Sequence, residues 1–471
     1  MWTSMIVASE SRSQPLPGIL LRACFRVAAL AAVCIAGCSS SGMQGTNGNS
    51  GNGGGTTPYA FPPGPALQFV SQFGTGTYFA ASMQGDTMAA LTSTLGGDLL
   101  VAGYTAGNLP GYTGVVGVLK ATLYMLNASG GQIWARELST GAGDTLNGVA
   151  ATSSGILAAG TTKGALSGTN PGGIDEPFLA SFGLSGNLQW LKQYPSVTNT
   201  QVESMCIDAS GNVILGGETS DSQHGQDLFL EKLDSAGNEL WQKIYGNGAV
   251  DLVTGVTADA NGDIDVTGST NGPFPGGPSN DLGIPFVLQL DGSTGATLWL
   301  QQFNGEAALA AMSPSAMQIA PDGKLDLLGQ VGSYGTNAQI EVVQLDETSG
   351  DVAWNTGFGA GTENLPGESL AVAANGDLYV TGMTHGALIP GATAGVDDIF
   401  LAKISPTGGL LWAEQLGTGS DGPARVSTGS VPFYVTLNDL SVVVGGMTAG
   451  QFPGFSNPNH AIELFVAGYP Q

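Results

Sequence analysis

The chain has 471 residues, 42% hydrophobic and only 10% charged, with 75 glycines. So few charges and about twice the usual glycine argue against a helical protein and for short strands joined by tight turns. The formal charge of −25 repels phosphate backbones and anionic headgroups, which argues against nucleic acid as a partner.

Arg22 and Arg26 precede an apolar stretch, Val27 to Ala36, that has the length of a signal-peptide core and is too short to span a bilayer. It ends in Ile35-Ala36-Gly37-Cys38. This resembles the bacterial lipobox, which implies cleavage after residue 37 and acylation (diacylglyceryl and palmitate-type chains) of Cys38. Residues 1–37 are therefore expected to be a lipoprotein signal peptide. Their removal would take the charge to −27. Ser39, rather than Asp, fits sorting to the outer membrane of a Gram-negative bacterium, on its periplasmic side or at the cell surface. Residues 38–66 are rich in Gly, Ser and Asn and read as a flexible tether, stiffened at its end by the PPGP of residues 62–65. With Cys24 and Cys34 removed and Cys38 acylated, Cys206 is the one thiol left in the head, and its apolar run predicts a small buried hydrophobe.

Residues 67–471 carry a repeat. Trp134, Trp190, Trp241, Trp299, Trp354 and Trp412 are spaced by 56, 51, 58, 55 and 58 residues, each just after a glycine turn. Each unit predicts four strands. The first two form a hairpin, as in VTADANGDIDVTG (256–268), through Asn-Gly-type turns that supply positive φ. The third is apolar, as in LFLEKLD (228–234), and the fourth carries the tryptophan. Four antiparallel strands per unit make a β-propeller blade. The chain ends set the count. FVSQFGTG (69–76) matches WAEQLGTG (412–419), with Phe69 in the tryptophan position, and ELFVAG (463–468) matches a third strand. The expected fold is all-β: a seven-bladed propeller whose last blade takes its fourth strand from residues 69–73. The tryptophans are expected to lie across the gaps between blades, each indole N–H donating to a backbone carbonyl.

The pattern D-x-F-L-x-K-L-D-x-x-G-x-x-x-W, with G-N-V-x-x-x-G-x-T, resembles the SBBP (seven-bladed β-propeller) repeat proteins over residues 67–471. That resemblance implies exported lipoproteins or surface proteins. Over a shorter stretch, Asp291 to Trp299 (DGSTGATLW) is similar to the tryptophan-docking motif of quinoprotein-like propellers. Those include quinone-dependent dehydrogenases and an outer-membrane assembly lipoprotein.

Catalytic signatures do not emerge: there is no G-x-S-x-G, H-E-x-x-H, C-x-x-C or Walker sequence. His224, His385 and His460 lie in long connections without ligand spacing to one another. Asp259, Asn261 and Asp263 offer three oxygen-bearing side chains within five residues, as Ca²⁺ would need, but hairpin-turn chemistry accounts for the same run. No other cofactor is expected. The reading is a lipid-anchored envelope propeller, membrane-held through Cys38, that binds a protein or glycan partner without catalysis. The alternatives are a glycan-active or quinoprotein-like enzyme and an outer-membrane protein assembly factor.

Overall fold

The third strand of each repeat is buried along almost its whole length, and this decides the architecture. KATLYML (120–126), EPFLASF (176–182) and IPFVLQL (284–290) are covered at every position. Strands buried on both faces belong to sheets stacked between other sheets. The computed structural model describes residues 62–471 apart from 77–84, 222–224, 247–249, 273–282, 304–311, 333–338, 360–363, 385–397, 418–432, 449, 451, 453 and 456–461. These residues form seven four-stranded antiparallel sheets, with no helix among them.

The strand β1 (Phe69–Phe73) belongs to the last blade. Blade 1 is β2 (Asp86–Ser93), β3 (Leu99–Thr105), β4 (Lys120–Leu126) and β5 (Gln132–Leu138). Blade 2 is β6 (Asp144–Thr152), β7 (Gly155–Thr162), β8 (Glu176–Phe182) and β9 (Leu188–Gln193). Blade 3 is β10 (Asn199–Ile207), β11 (Val213–Asp221), β12 (Gly225–Leu233) and β13 (Glu239–Tyr245). Blade 4 is β14 (Asp251–Ala258), β15 (Ile264–Thr270), β16 (Ile284–Leu290) and β17 (Thr297–Gln302). Blade 5 is β18 (Met312–Ile319), β19 (Leu325–Val331), β20 (Gln339–Leu345) and β21 (Val352–Phe358). Blade 6 is β22 (Asn364–Val372), β23 (Leu378–Thr384), β24 (Asp398–Ile404) and β25 (Leu410–Leu416). Blade 7 is β26 (Tyr434–Leu437), β27 (Ser441–Thr448), β28 (Glu463–Pro470) and then β1.

First strands of neighbouring blades touch around the full circle, from β2 through β6 and onward to β26 and back to β2. They are the innermost strands, and the tryptophan strands are outermost. The apolar cores lie between blades rather than within them. Leu328, Ile340, Val342 and Phe358 of blade 5 interleave with Leu378, Val380 and Phe400 of blade 6, all fully buried. Each such side chain contributes about 1.5–3 kcal/mol on burial.

Closure follows the register expected from the chain ends. Phe69 pairs with Gly468, and Phe73 with Leu464. Gln72 Nε2 donates to Glu463 Oε2 at 2.7 Å and to Gly450 O at 3.1 Å, tying β1 to its blade. The ring is seven blades, joined where the two chain ends meet. The last residues of the tether also take part. Ala413 N donates to Pro62 O at 3.4 Å, and Gly64 lies so close to Trp412 that a Cβ there would meet its ring at 2.6 Å. The PPGP run therefore seats on blade 6.

A recurring bulge shapes the innermost strands. The register shifts between Met88 and Ala90, Leu146 and Gly148, Val202 and Ser204, and Val253 and Gly255. The facing second strand must come close, and a glycine sits there. A Cβ on Gly103 would lie 1.9 Å from the Thr87 carbonyl oxygen. Backbone cannot yield as a flexible side chain does. Gly103→Ala should destabilise the chain by about 1–3 kcal/mol, seen as a lowered midpoint in thermal melting followed by circular dichroism.

Candidate functional site

The ring has two unlike faces. One carries the connections that lead from each fourth strand to the next blade. There, carboxylates at the start of innermost strands hold the chain. Asp86 accepts from Thr75 N at 2.6 Å and Thr75 Oγ1 at 2.9 Å. Asp144 likewise accepts from Thr140 N at 2.6 Å and from the hydroxyl of Thr162. Asp251 accepts from the Thr270 hydroxyl. These staples fix how one blade hands over to the next.

The other face carries the first turn and the third turn of each blade. Here the tryptophans dock. Trp134 Nε1 donates to Leu184 O at 2.9 Å, Trp241 Nε1 to Gly292 O at 3.2 Å, and Trp354 Nε1 to Pro406 O at 3.1 Å. Each acceptor is the second residue of the third turn in the following blade. A turn glycine two or three residues further on lies under the ring. A Cβ on Gly186 or Gly408 would meet Trp134 or Trp354 at 2.8 Å. Trp190 packs on Gly237 and Trp299 on Gly350 in the same way. The indole N–H of Trp299 is buried without an acceptor among the described residues. Phe69 takes the equivalent place over Gly130 of blade 1.

Each ring residue is one end of a cross-strand row, because residues directly opposite in register share a face. In blade 1 the row is Leu100, Met125, Trp134, and in blade 2 Leu157, Ser181, Trp190. Blade 3 has Ile214, Lys232, Trp241. Blade 4 has Asp265, Gln289, Trp299, and blade 5 has Asp326, Gln344, Trp354. Blade 6 has Tyr379, Lys403, Trp412. The repeat is thus uniform at its tryptophan and varied at the two positions beside it.

The rows of blades 3 and 6 hold an ammonium. Lys232 Nζ lies 2.9 Å from Asp208 Oδ2 and donates to Gly292 O at 2.8 Å, deep between blades 3 and 4. Lys403 Nζ lies 2.9 Å from Asp377 Oδ2 and 5.1 Å from the Tyr379 ring centre. The rows of blades 4 and 5 have no lysine and bury a carboxyl group instead. Both oxygens of Asp265, which is 0% exposed, lack a hydrogen-bond partner among the described residues. Burial, with Glu347, Asp259 and Asp263 nearby, pushes Asp265 up to about 8. Glu347 reaches in from the third turn of blade 5 and is itself raised to about 7, by burial first and then by Asp259 and Asp263. Gln289 Nε2 contacts Glu347 Oε1 at 3.5 Å.

In blade 5, Gln344 Nε2 donates to Asp326 Oδ1 at 2.9 Å. The remaining atoms, Asp326 Oδ2 and Gln344 Oε1, are buried and without a partner among the described residues. Burial pushes Asp326 up to about 7. Above this row lies a cleft of about 250 Å³ between blades 5 and 6. Its walls are the first turn of blade 5 at Pro321 and Asp322, the first turn of blade 6 at Asn375 and Gly376, and Pro406; Gln344 also lines it. This cleft is the candidate site. Sequence reasoning missed it, although a signal existed: an aspartate in the otherwise apolar second strands, IDVTG and LDLLG.

The residues singled out from sequence fall as follows. Asp259 Oδ1 accepts from Asp263 N at 2.7 Å and its Oδ2 from Asn261 Nδ2 at 2.9 Å, while Asp263 Oδ1 accepts from Gly292 N at 3.1 Å. The trio shapes its hairpin and its contact with the following turn. Among the described residues, no three His, Cys, Asp or Glu side chains converge as a metal-binding group. Cys206 is half-buried on β10 and packs at the core between blades 3 and 4, where burial pushes its thiol up to about 12. Cys38, His224, His385 and His460 lie outside the described residues.

Comparison with known protein families finds no match. Among curated proteins, the chain is 24% identical over 316 residues to the Regulatory protein FlaEY of Caulobacter vibrioides. The match covers 64% of this chain and 28% of the relative, so the chain spans less than a third of that protein's length. Among solved structures, it is similar to the quinohemoprotein alcohol dehydrogenase from Comamonas testosteroni, with a TM-score of 0.45 and 11% identity over 82% of this chain and 75% of that one. It is also similar to YCF48 bound to D1 peptide, with a TM-score of 0.46 and 11% identity over 88% and 99%. These likenesses concern the fold alone.

The buried carboxyl groups carry a pH signature. Glu231 and Asp265 are raised to about 8, Asp326 to about 7 and Asp86 to about 6, in each case by burial first. In the unfolded chain such groups titrate near 4. Between pH ~4 and ~8 the folded chain therefore holds more protons than the unfolded one, and stability falls as pH rises through that window. The melting midpoint should be several degrees higher at pH 5 than at pH 8. Glu231→Gln, neutral throughout, should flatten the slope; an unchanged slope would show that these groups do not titrate as buried acids.

Proposed function

We propose that this chain is a lipid-anchored cell-envelope protein of the SBBP-repeat type, whose propeller is a non-enzymatic binding or scaffold module for protein or glycan partners. The observation that carries the binding role is the cross-strand row between blades. The ring is held by a uniform tryptophan contact, while the two residues beside it change from blade to blade. A scaffold of this kind varies its recognition positions without disturbing its closure. The cleft between blades 5 and 6, lined by Gln344 with the Asp326 carboxyl group behind it, is one product of that variation. The relative in Caulobacter vibrioides is named a regulatory protein, which sits with binding rather than catalysis.

Anchoring rests on Ile35-Ala36-Gly37-Cys38 and the slack run that follows it. Several acyl chains on one residue hold firmly, since each buried methylene contributes about 0.8 kcal/mol. The tether then lets the ring stand off the outer membrane. Cys38→Ala should abolish labelling by radioactive palmitate and move the protein from the membrane pellet to the soluble fraction of lysed cells. Unchanged pelleting and labelling would overturn the anchored reading.

A further inference from the structure

The cleft between blades 5 and 6 sits where two other blades place an ammonium of their own. Lys232 is the third-strand member of the row in blade 3, and Lys403 of the row in blade 6. Lys232 Nζ uses two kinds of acceptor, a carboxylate and the carbonyl of the second residue in the next blade's third turn. Blade 5 retains both kinds and lacks the lysine. Its carboxyl group has moved to the second strand as Asp326, its turn carbonyl is that of Pro406, and its third-strand residue is Gln344.

The consequence is an acceptor set without a donor. Asp326 is 0% exposed and Gln344 2% exposed, and each keeps one side-chain oxygen without a hydrogen bond among the described residues. An unpaired buried acceptor is costly, more so when it is charged, and a donor brought to it removes that cost. Blade 4 shares the pattern but has filled its space, since Glu347 enters from the neighbouring turn beside Gln289. In blade 6 the corresponding turn residue is Pro406, which offers no such side chain, and the cleft stays open. At about 250 Å³ it is below the roughly 300–1,000 Å³ of drug-sized pockets, so it suits one slender group. The net charge of −25 favours the approach of a cation.

We propose that this cleft binds a primary ammonium on an unbranched alkyl stem, the ammonium donating to Gln344 Oε1 at the cleft wall, with the buried Asp326 carboxyl group, held by Gln344 Nε2 behind it, as the countercharge. The stem lies between Pro321 and Pro406, while Asp322 at the rim is already paired with Lys324 Nζ at 3.0 Å. This inference rests on the reading of the ring as a binding module and gives that module its ligand chemistry. A free diamine and a lysine side chain of a partner protein share this chemistry.

The test uses the purified full chain. Titration calorimetry is run with 1,5-diaminopentane, with a short lysine-containing peptide, and with 1-pentanol as the neutral counterpart. Saturable one-site binding of either amine, with none for 1-pentanol, is the expected result. Binding of the diamine assigns the site to free amines, and binding of the peptide alone assigns it to a partner's lysine. Gln344→Leu and Asp326→Asn should each weaken binding by about tenfold or more. Should either variant fold poorly, Ala374→Phe fills the cleft from an exposed turn position and should block binding with the melting midpoint kept. The proposal fails if neither amine binds, if 1-pentanol binds as well as the amines, or if Ala374→Phe binds as tightly as the parent. None of these outcomes bears on membrane anchoring, which Cys38→Ala tests separately.

Discussion

The docking of the outer-strand tryptophans of blades 1 to 5 under the third turn of the following blade is the contact on which the ring depends. A four-stranded sheet has two faces to bury and cannot do so alone. The tryptophan does part of that burial and, through its N–H, also sets where the next blade's turn must lie. Glycine at the turn is its complement, because a Cβ at Gly186 or Gly408 would strike the ring. A positive φ, such as +78° at Gly186, serves the turn and the close approach together. One residue pair, repeated around the circle, thus fixes both spacing and orientation of the blades.

Where that pair is interrupted, the chain substitutes for it. Blade 7 is split between the two chain ends, so no third turn joins β28 to β1. Trp412 would otherwise face an empty place. Pro62 to Gly64 lies there instead, with Gly64 against the ring as a turn glycine is elsewhere. Phe69 meanwhile serves as the ring residue of blade 7 over Gly130. Closure is therefore doubly held, by strand pairing of β1 with β28 and by a proline-rich segment that mimics a turn.

Much of this was legible in the sequence because it is periodic. The tryptophan interval, the Gly turns and the match of residues 69–76 to 412–419 determine the blade count and the strand exchange at closure. The docking partners follow from chemistry, since a buried indole N–H seeks a carbonyl. What was not legible is what breaks the period. Asp265 and Asp326 stand alone in apolar strands, and only the register aligns them with Gln289 and Gln344. The staples of Asp86 and Asp144 join residues whose loops differ in length from blade to blade, so no fixed spacing marks them. Gly64 gave no sign of packing because it lies in a run that reads as linker.

The same division explains why buried acids are tolerated. Placing a carboxyl group in a low-dielectric interior disfavours its ionised form, so at neutral pH Glu231, Asp265 and Asp326 weigh against the folded state. A ring with tryptophan contacts at many blade junctions can absorb that burden at a few of them. Buried acids occur in blades 1 and 2 as well, at Asp86 and Asp144, but in the tryptophan rows the ionisable residues fall in blades 3 to 6, and the rows of blades 1 and 2 carry none. On that arc, the junction of blades 5 and 6 combines the missing lysine, the unpartnered acceptors and the open space.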